Sequence, residues 1–168
     1  RGFDCNGKTT KKNVSKVSSQ KRESYNELQI SKKIKKHTPL PNKRFVLVES
    51  ICKSNLSFFS KKHKANCNII TRNPNNSFYV IQSNYVKNIS LNDYFNNYEN
   101  SLYDDIYVFE YLLESIKILV KSKVVHYDLH FKNALLSSDT KIPYIIDFGL
   151  SLCMESFVNN TVLNYKEL

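Results

Sequence analysis

Apolar and polar positions change period several times along this chain, and the changes lay out an order of elements. Asn13-Val14-Ser15-Lys16-Val17 alternates as a strand with one buried face does. Glu23 to Lys36 places Glu27, Ile30 and Ile34 at i, i+3, i+7, which predicts a helix with those residues on one face. Phe45-Val46-Leu47-Val48 and Phe78-Tyr79-Val80-Ile81 predict two further strands. Between them, the polar region Ser54 to Ser77, with its turn Asn73-Pro74-Asn75-Asn76, reads as a long surface insertion. Ser90 is placed to cap a short helix opening at Leu91. Ile106, Phe109, Leu113, Ile116 and Val120 form a stripe at helical spacing, predicting the buried face of an amphipathic helix. Val124-Val125 follows. Ala134-Leu135-Leu136 and Tyr144-Ile145-Ile146 then read as short strands flanking the turn Ser137-Ser138-Asp139-Thr140.

The chemistry sits beside those last strands. His126-Tyr127-Asp128-Leu129-His130-Phe131-Lys132-Asn133 precedes them, and Asp147-Phe148-Gly149 follows. An Asp and an Asn on one loop, with a second Asp brought close by a hairpin, suit phosphoryl transfer. One carboxylate orients or deprotonates an acceptor hydroxyl, while the Asn and the second carboxylate hold Mg²⁺ on nucleotide phosphates. Either motif alone is weak; in order and correctly spaced, the two together are specific. The bland alternative is a pair of polar loops in some other α+β protein. Upstream, Glu27 lies on an otherwise apolar helix face and needs a partner, which the strand lysine Lys16 can supply. Glu23 is the rival carboxylate, and Lys11, Lys12 and Lys21 surround Lys16.

On these motifs the chain resembles eukaryotic-type protein kinases, and most of all the divergent serine/threonine kinase-like proteins of large DNA viruses. The resemblance covers roughly Val14 to Ser151, and its specific part is the catalytic loop with the Asp-Phe-Gly. It implies an α+β fold. Residues 1–84 would be an incomplete small lobe of antiparallel strands, one αC-type helix and the insertion at 54–77. Residues 85–168 would carry the hinge, a large-lobe helix, the catalytic loop and the start of an activation segment. Gln82 to Asn88 would be the hinge, meeting an adenine edge through its main chain. The resemblance further implies Asp128 as catalytic base, Asn133 and Asp147 as Mg²⁺ ligands, Lys16 on the α/β-phosphates of ATP, and Glu27 as its partner. His126 and Phe148 would pack together behind the loop.

The departures from that family are informative too. Tyr127 stands where an Arg usually reads a phosphorylated activation segment, so activation by such phosphorylation is not expected. His130 replaces a Lys that steadies the γ-phosphate, and Lys132 is the nearby cation that could substitute. Asp-Leu-His is also familiar from small-molecule kinases resembling aminoglycoside and choline kinases, which keeps a non-protein acceptor open. Gly2 and Gly7 are the only glycines before the loop, so a phosphate-covering glycine hairpin is degenerate or cut away.

Length and composition bound these readings. The 168 residues fall short of a two-lobed kinase, which usually needs roughly 250 or more. The chain begins at Arg1 and reads as a piece of a reading frame, or as the product of a truncated one. Such a piece would expose the apolar back of the helix carrying Ile106 to Val120. No apolar run reaches membrane-spanning length and no signal peptide is visible, so no membrane is expected and a cytoplasmic location is (host cytoplasm or virion, if viral). Cys5, Cys52, Cys67 and Cys153 show no Cys-x-x-Cys, and free thiols in a reducing compartment are expected. The net charge of +10 comes with abundant Lys, Asn, Ile and Tyr. An AT-rich coding sequence explains that bias, and nucleic acid is not expected as the primary partner. The cluster Lys32, Lys33, Lys35, Lys36, His37 reads as a solvated helix face. A nucleotide and a protein substrate are the expected partners. The expected activity is Mg²⁺·ATP-dependent transfer to a Ser/Thr hydroxyl, with a non-catalytic kinase-like module as the main alternative.

Overall fold

The computed structural model describes residues 2–3, 5, 9–38, 40–61, 64, 67–72, 77–97 and 101–155. Among them are four α-helices and ten short strands, arranged as antiparallel sheets. A hairpin of β1 (Gly2–Phe3) and β2 (Thr9–Thr10) leads into β3 (Asn13–Ser18). Gly2 matters here, because a Cβ at that position would lie 2.5 Å from the Asn13 carbonyl oxygen. Any side chain there would push the hairpin off β3. Helix α1 (Lys21–His37) follows, with Glu23 in its first turn and Lys35, Lys36 and His37 in its last, which suits the helix dipole. Its buried face is Ser24, Glu27, Ile30, Ser31 and Ile34.

Strands β4 (Val48–Ser54) and β5 (Phe78–Asn84) complete the first sheet in the order β3-β5-β4, with Lys16 opposite Ile81. The strand predicted at Phe45 begins instead at Val48. Arg44 to Val46 bond to Ile145 through main-chain groups, so this apolar run crosses to the second sheet before joining the first. A buried passage and a buried strand look alike in sequence. The expected surface insertion at 54–77 is also more than surface. Phe59 and Ile70, the latter on α2 (Asn68–Arg72), are buried against Phe78 and Val80 of β5. The turn predicted at 73–76 lies outside the described residues.

Tyr85 to Lys87 link the first sheet to the second, so β5 occupies part of the expected hinge at 82–88. The second sheet runs β6 (Asn88–Ser90), β8 (Ala134–Ser137), β9 (Pro143–Ile145). Ser90 caps α3 (Leu91–Asn97), its Oγ accepting from the Asp93 N–H at 3.0 Å. Helix α4 (Leu102–Lys121) is capped by Ser101 and buries Val108, Ser115 and Leu119. The stripe predicted as a buried face is exposed, with Leu113 57% and Val120 70% accessible, which agrees instead with the expected exposure of the apolar back of this helix. The helix has apolar residues on two sides, and only one side meets β8, β9 and α1. Strand β7 (Val124–Val125) pairs with β10 (Leu152–Cys153). One cluster ties these parts together: Ile30, Ile34, Phe45, Leu47, Leu119, Val124, Ile145 and Phe148.

The cysteine expectation is corrected. Cys5 and Cys52 form a disulfide that fastens the β1–β2 hairpin to β4, while Cys67 and Cys153 are free thiols. Their 47-residue separation hides the pairing, which only the sheet creates. The solvated-face reading of the basic cluster holds for Lys32, Lys36 and His37, which are exposed, and is corrected for the other two. Lys35 reaches Glu49 at 3.0 Å and the Val48 carbonyl at 3.2 Å, and Lys33 pairs with Glu155.

Candidate functional site

Strand alternation puts Lys16 on the side of β3 that faces α1, and the helix puts Glu27 opposite it. Lys16 Nζ lies 3.4 Å from Glu27 Oε2 and 2.7 Å from Asp147 Oδ1. Thus β3, α1 and the loop after β9 converge on one ammonium. Burial pulls Lys16 downward, but the Glu27 and Asp147 carboxylates outweigh it and hold the ammonium above the ordinary lysine value. Glu27 is also raised, although it faces a cation. Burial dominates there and the Asp147 charge adds to it, while a lysine shared with Asp147 offsets only part. The carboxylate is 6% exposed against half-exposed partners, so its burial is the firmer cause.

Main-chain bonds fix Asp147 relative to the preceding loop. The Ile146 N–H donates to the Asn133 carbonyl at 3.0 Å, and the Ile146 carbonyl accepts from His126 Nε2 at 2.9 Å. Ile146 is therefore held on both sides by the loop bearing Asp128. Behind it, the rings of His126 and Phe148 pack with centroids 4.8 Å apart, and Phe148 is wholly buried. Asp147 and Tyr127 have φ of 60° and 68°. Left-handed backbone at a residue other than glycine costs on the order of 1 kcal/mol and clusters where geometry is enforced for function.

On the loop itself, Asn133 Nδ2 donates to the Asp128 main-chain oxygen at 2.9 Å and to its Oδ2 at 3.0 Å. With its nitrogen so engaged, the Asn133 side chain presents Oδ1, which has no protein partner among the described residues. His130 Nδ1 accepts from the Lys132 N–H at 3.1 Å, and Nε2 lies 3.8 Å from Asp128 Oδ1. Lys132 is exposed in the turn Phe131–Asn133 and forms no ion pair among the described residues.

The donor set fits a hard cation that keeps most of its shell elsewhere. Among the described residues no cluster of three or more His, Cys, Asp or Glu could hold a metal by itself. Asp147 and the Asn133 amide oxygen offer two oxygen ligands, the number Mg²⁺ takes when phosphates and water supply the rest. A cavity of about 430 Å³ lies elsewhere, by Cys5, Lys53 and Phe58, and includes none of these residues.

Two groups of residues escaped the sequence reading. Asn26, next to Glu27 on α1, donates to the Gly149 and Ser151 carbonyls at 3.0 and 2.8 Å. Glu155 sits between Lys33 and Lys123. A mid-helix Asn is a weak signal of such a tie, since its helix propensity is poor; for Glu155 the sequence carries none.

No protein-family model matches this chain, and no curated protein matches it. No helix among the described residues is long and apolar enough to cross a membrane. The molecule is a mixed α/β domain with antiparallel sheets, and its site must be read from its own residues.

Proposed function

We propose that this chain is a protein-kinase-like phosphotransferase that transfers the γ-phosphoryl group of Mg²⁺·ATP to a Ser/Thr hydroxyl of a protein. The first sheet with α1 corresponds to a small lobe in this reading, and the remainder to the opening part of a large lobe. One observation carries it: Lys16 bridges Glu27 and Asp147, residues from three separated parts of the chain. Phosphoryl transfer is catalysed mostly by positioning and charge, and such convergence is what it requires.

Lys16 neutralises phosphate oxygens, and Glu27 aims it. Asp147 and the Asn133 Oδ1 are the metal ligands. When bound, Mg²⁺ supplies charge neutralisation on the phosphates. Asp128, oriented by Asn133, accepts the proton of the acceptor hydroxyl. His130 and Lys132 lie on the same turn, where a cation can steady the transferred group.

A second reading, a kinase-like binding module without catalysis, draws on the exposed face of α4, where Leu113 and Val120 await a cover. Thermal shift with Mg²⁺·ATP, repeated with EDTA, separates the two. At 100-fold excess over Kd, a ligand stabilises by about 2.7 kcal/mol. A metal-dependent rise in Tm supports the enzyme, and no rise removes it. A screen of protein and small-molecule acceptors then distinguishes a protein kinase from a small-molecule kinase.

A further inference from the structure

We propose that Asn26 is a positioning residue, clamping the chain after Asp147 to α1 so that Glu27 and Asp147 reach Lys16 together. This deepens the phosphoryl-transfer reading and rests on it. A side-chain amide has two N–H donors, and Asn26 directs both to main-chain carbonyls, Gly149 at 3.0 Å and Ser151 at 2.8 Å. These contacts cross 123 and 125 residues of sequence. They fall on both sides of Leu150, two and four residues beyond the metal-ligand candidate Asp147.

Ser151 extends the tie. It is 1% exposed, its N–H donates to the Phe148 carbonyl at 3.1 Å, and its Oγ donates to the His126 carbonyl at 3.1 Å. His126 precedes Asp128 by two residues and holds Ile146 from the other side. Two consecutive residues of one helix therefore divide the work. Glu27 holds the lysine, and Asn26 holds the segment bearing the other carboxylate and, through Ser151, the loop of the catalytic base. Rotation of α1 that carries Glu27 from Lys16 would break the Asn26 bonds at the same time. Helix propensity offers no competing reason for the residue, since Asn is a poorer helix former than Ala.

The test is a double-mutant cycle on the full chain with Asn26→Ala and Glu27→Gln, reading kcat, the KM for ATP and Tm. A group that works by aiming another is non-additive with it. Asn26→Ala should lower kcat by about 10- to 100-fold, the scale expected for ångström misplacement, with the KM for ATP within about threefold. In the Glu27→Gln background the same change should lower kcat by less than about threefold. Equal kcat losses in both backgrounds, unchanged kcat, or a kcat loss that only follows a collapse in Tm overturns the positioning role. Wild-type protein that folds and binds Mg²⁺·ATP but transfers no phosphate to any acceptor overturns the enzyme reading and the positioning role with it. Active wild type with an additive cycle overturns the positioning role alone.

Discussion

Lys16 and Asp147 stand 131 residues apart in sequence, yet their charged atoms lie 2.7 Å apart. That contact joins the first sheet to the loop beyond the second, and the buried Glu27 approaches the same ammonium from α1. Lys16 thus lies between two carboxylates and compensates the charge of both. In the proposed phosphoryl-transfer reading Asp147 would hold Mg²⁺, and Lys16 would then pair with Glu27 and phosphate.

The two loop carboxylates should therefore separate by role. If Asp147 holds Mg²⁺ as proposed, Asp147→Asn removes that charged ligand and should abolish Mg²⁺-dependent nucleotide binding. Asp128→Asn should keep nucleotide affinity within a few-fold and lose turnover, since in the proposed reading it removes only the group that receives the hydroxyl proton. Isothermal titration with Mg²⁺·ATP beside a transfer assay reads both. Equal loss of affinity in the two variants would contradict these assignments.

Lys16→Met should cut transfer by orders of magnitude, whereas Lys11→Met and Lys12→Met should be nearly neutral. It should also show in stability, which a half-exposed lysine alone would not suggest. The change leaves the Glu27 carboxylate buried with its cation gone, at a cost on the order of 1–3 kcal/mol.

That cost has a definite pH sign. Glu27 titrates above its unfolded value through burial and the Asp147 charge. The folded state thus binds the proton more tightly, and stability falls as pH rises from about 4.3 through the folded value. Without Lys16 that window extends further upward. Lys16 itself stays charged throughout, because its folded value is raised and its contribution fades only in strong alkali. Urea melts should show Lys16→Met more destabilising at pH 7 than at pH 5. Destabilisation equal at the two pH values would mean Glu27 does not feel Lys16.

Much of this site was legible because its signals are local. The Asp128–Asn133 spacing lies within one loop, Glu27 shares a helical period with Ile30 and Ile34, and Lys16 sits in an alternating strand. What could not be read depends on distant segments meeting. Asn26 acts through main-chain carbonyls, which any residue carries, so Gly149 and Ser151 give no compositional hint of it. The apolar stripe of α4 reveals a helix but not which side is covered. Phe45 to Leu47 reads as strand because burial, not pairing, sets its composition. Cys5 and Cys52 meet only after β4 forms beside β5.

Reduction of that disulfide has a local consequence. Cys5 fastens a hairpin whose strands are two residues each, too short to hold by themselves. Cys5→Ser should lower stability by about 2–4 kcal/mol if the closed loop restrains the unfolded chain as loops of this size do. Hydrogen exchange should quicken first in residues 2–3 and 9–10, before β3 and β5. Uniform quickening across the first sheet would show that the bond supports the whole sheet and not the hairpin.

Glu155 offers the last prediction. Its carboxylate meets Lys33 from α1, and Lys123 at 3.5 Å from the turn after α4. The Lys33 hydrogen bond leads; together with the Lys33 charge and the Lys123 hydrogen bond and charge it outweighs desolvation and holds Glu155 below the ordinary carboxylate range. A depressed value contributes above about pH 4.3 and is lost as pH falls through the folded value. Glu155 and Lys123 are exposed while Lys33 is only partly so, and the ion pairs weigh little in global stability and are screened by salt. Their effect should be local, on the chain around and beyond β10. Glu155→Gln should speed amide exchange over residues 150–155 at pH 7 in low salt and leave Tm almost unchanged. Raising salt to about 0.5 M should shrink the difference from wild type. In the proposed kinase-like reading a carboxylate, not a phosphate, supplies this charge, so phosphatase treatment should leave wild-type turnover unaltered. A turnover that falls on dephosphorylation would show that a phosphate, not Glu155, orders this segment.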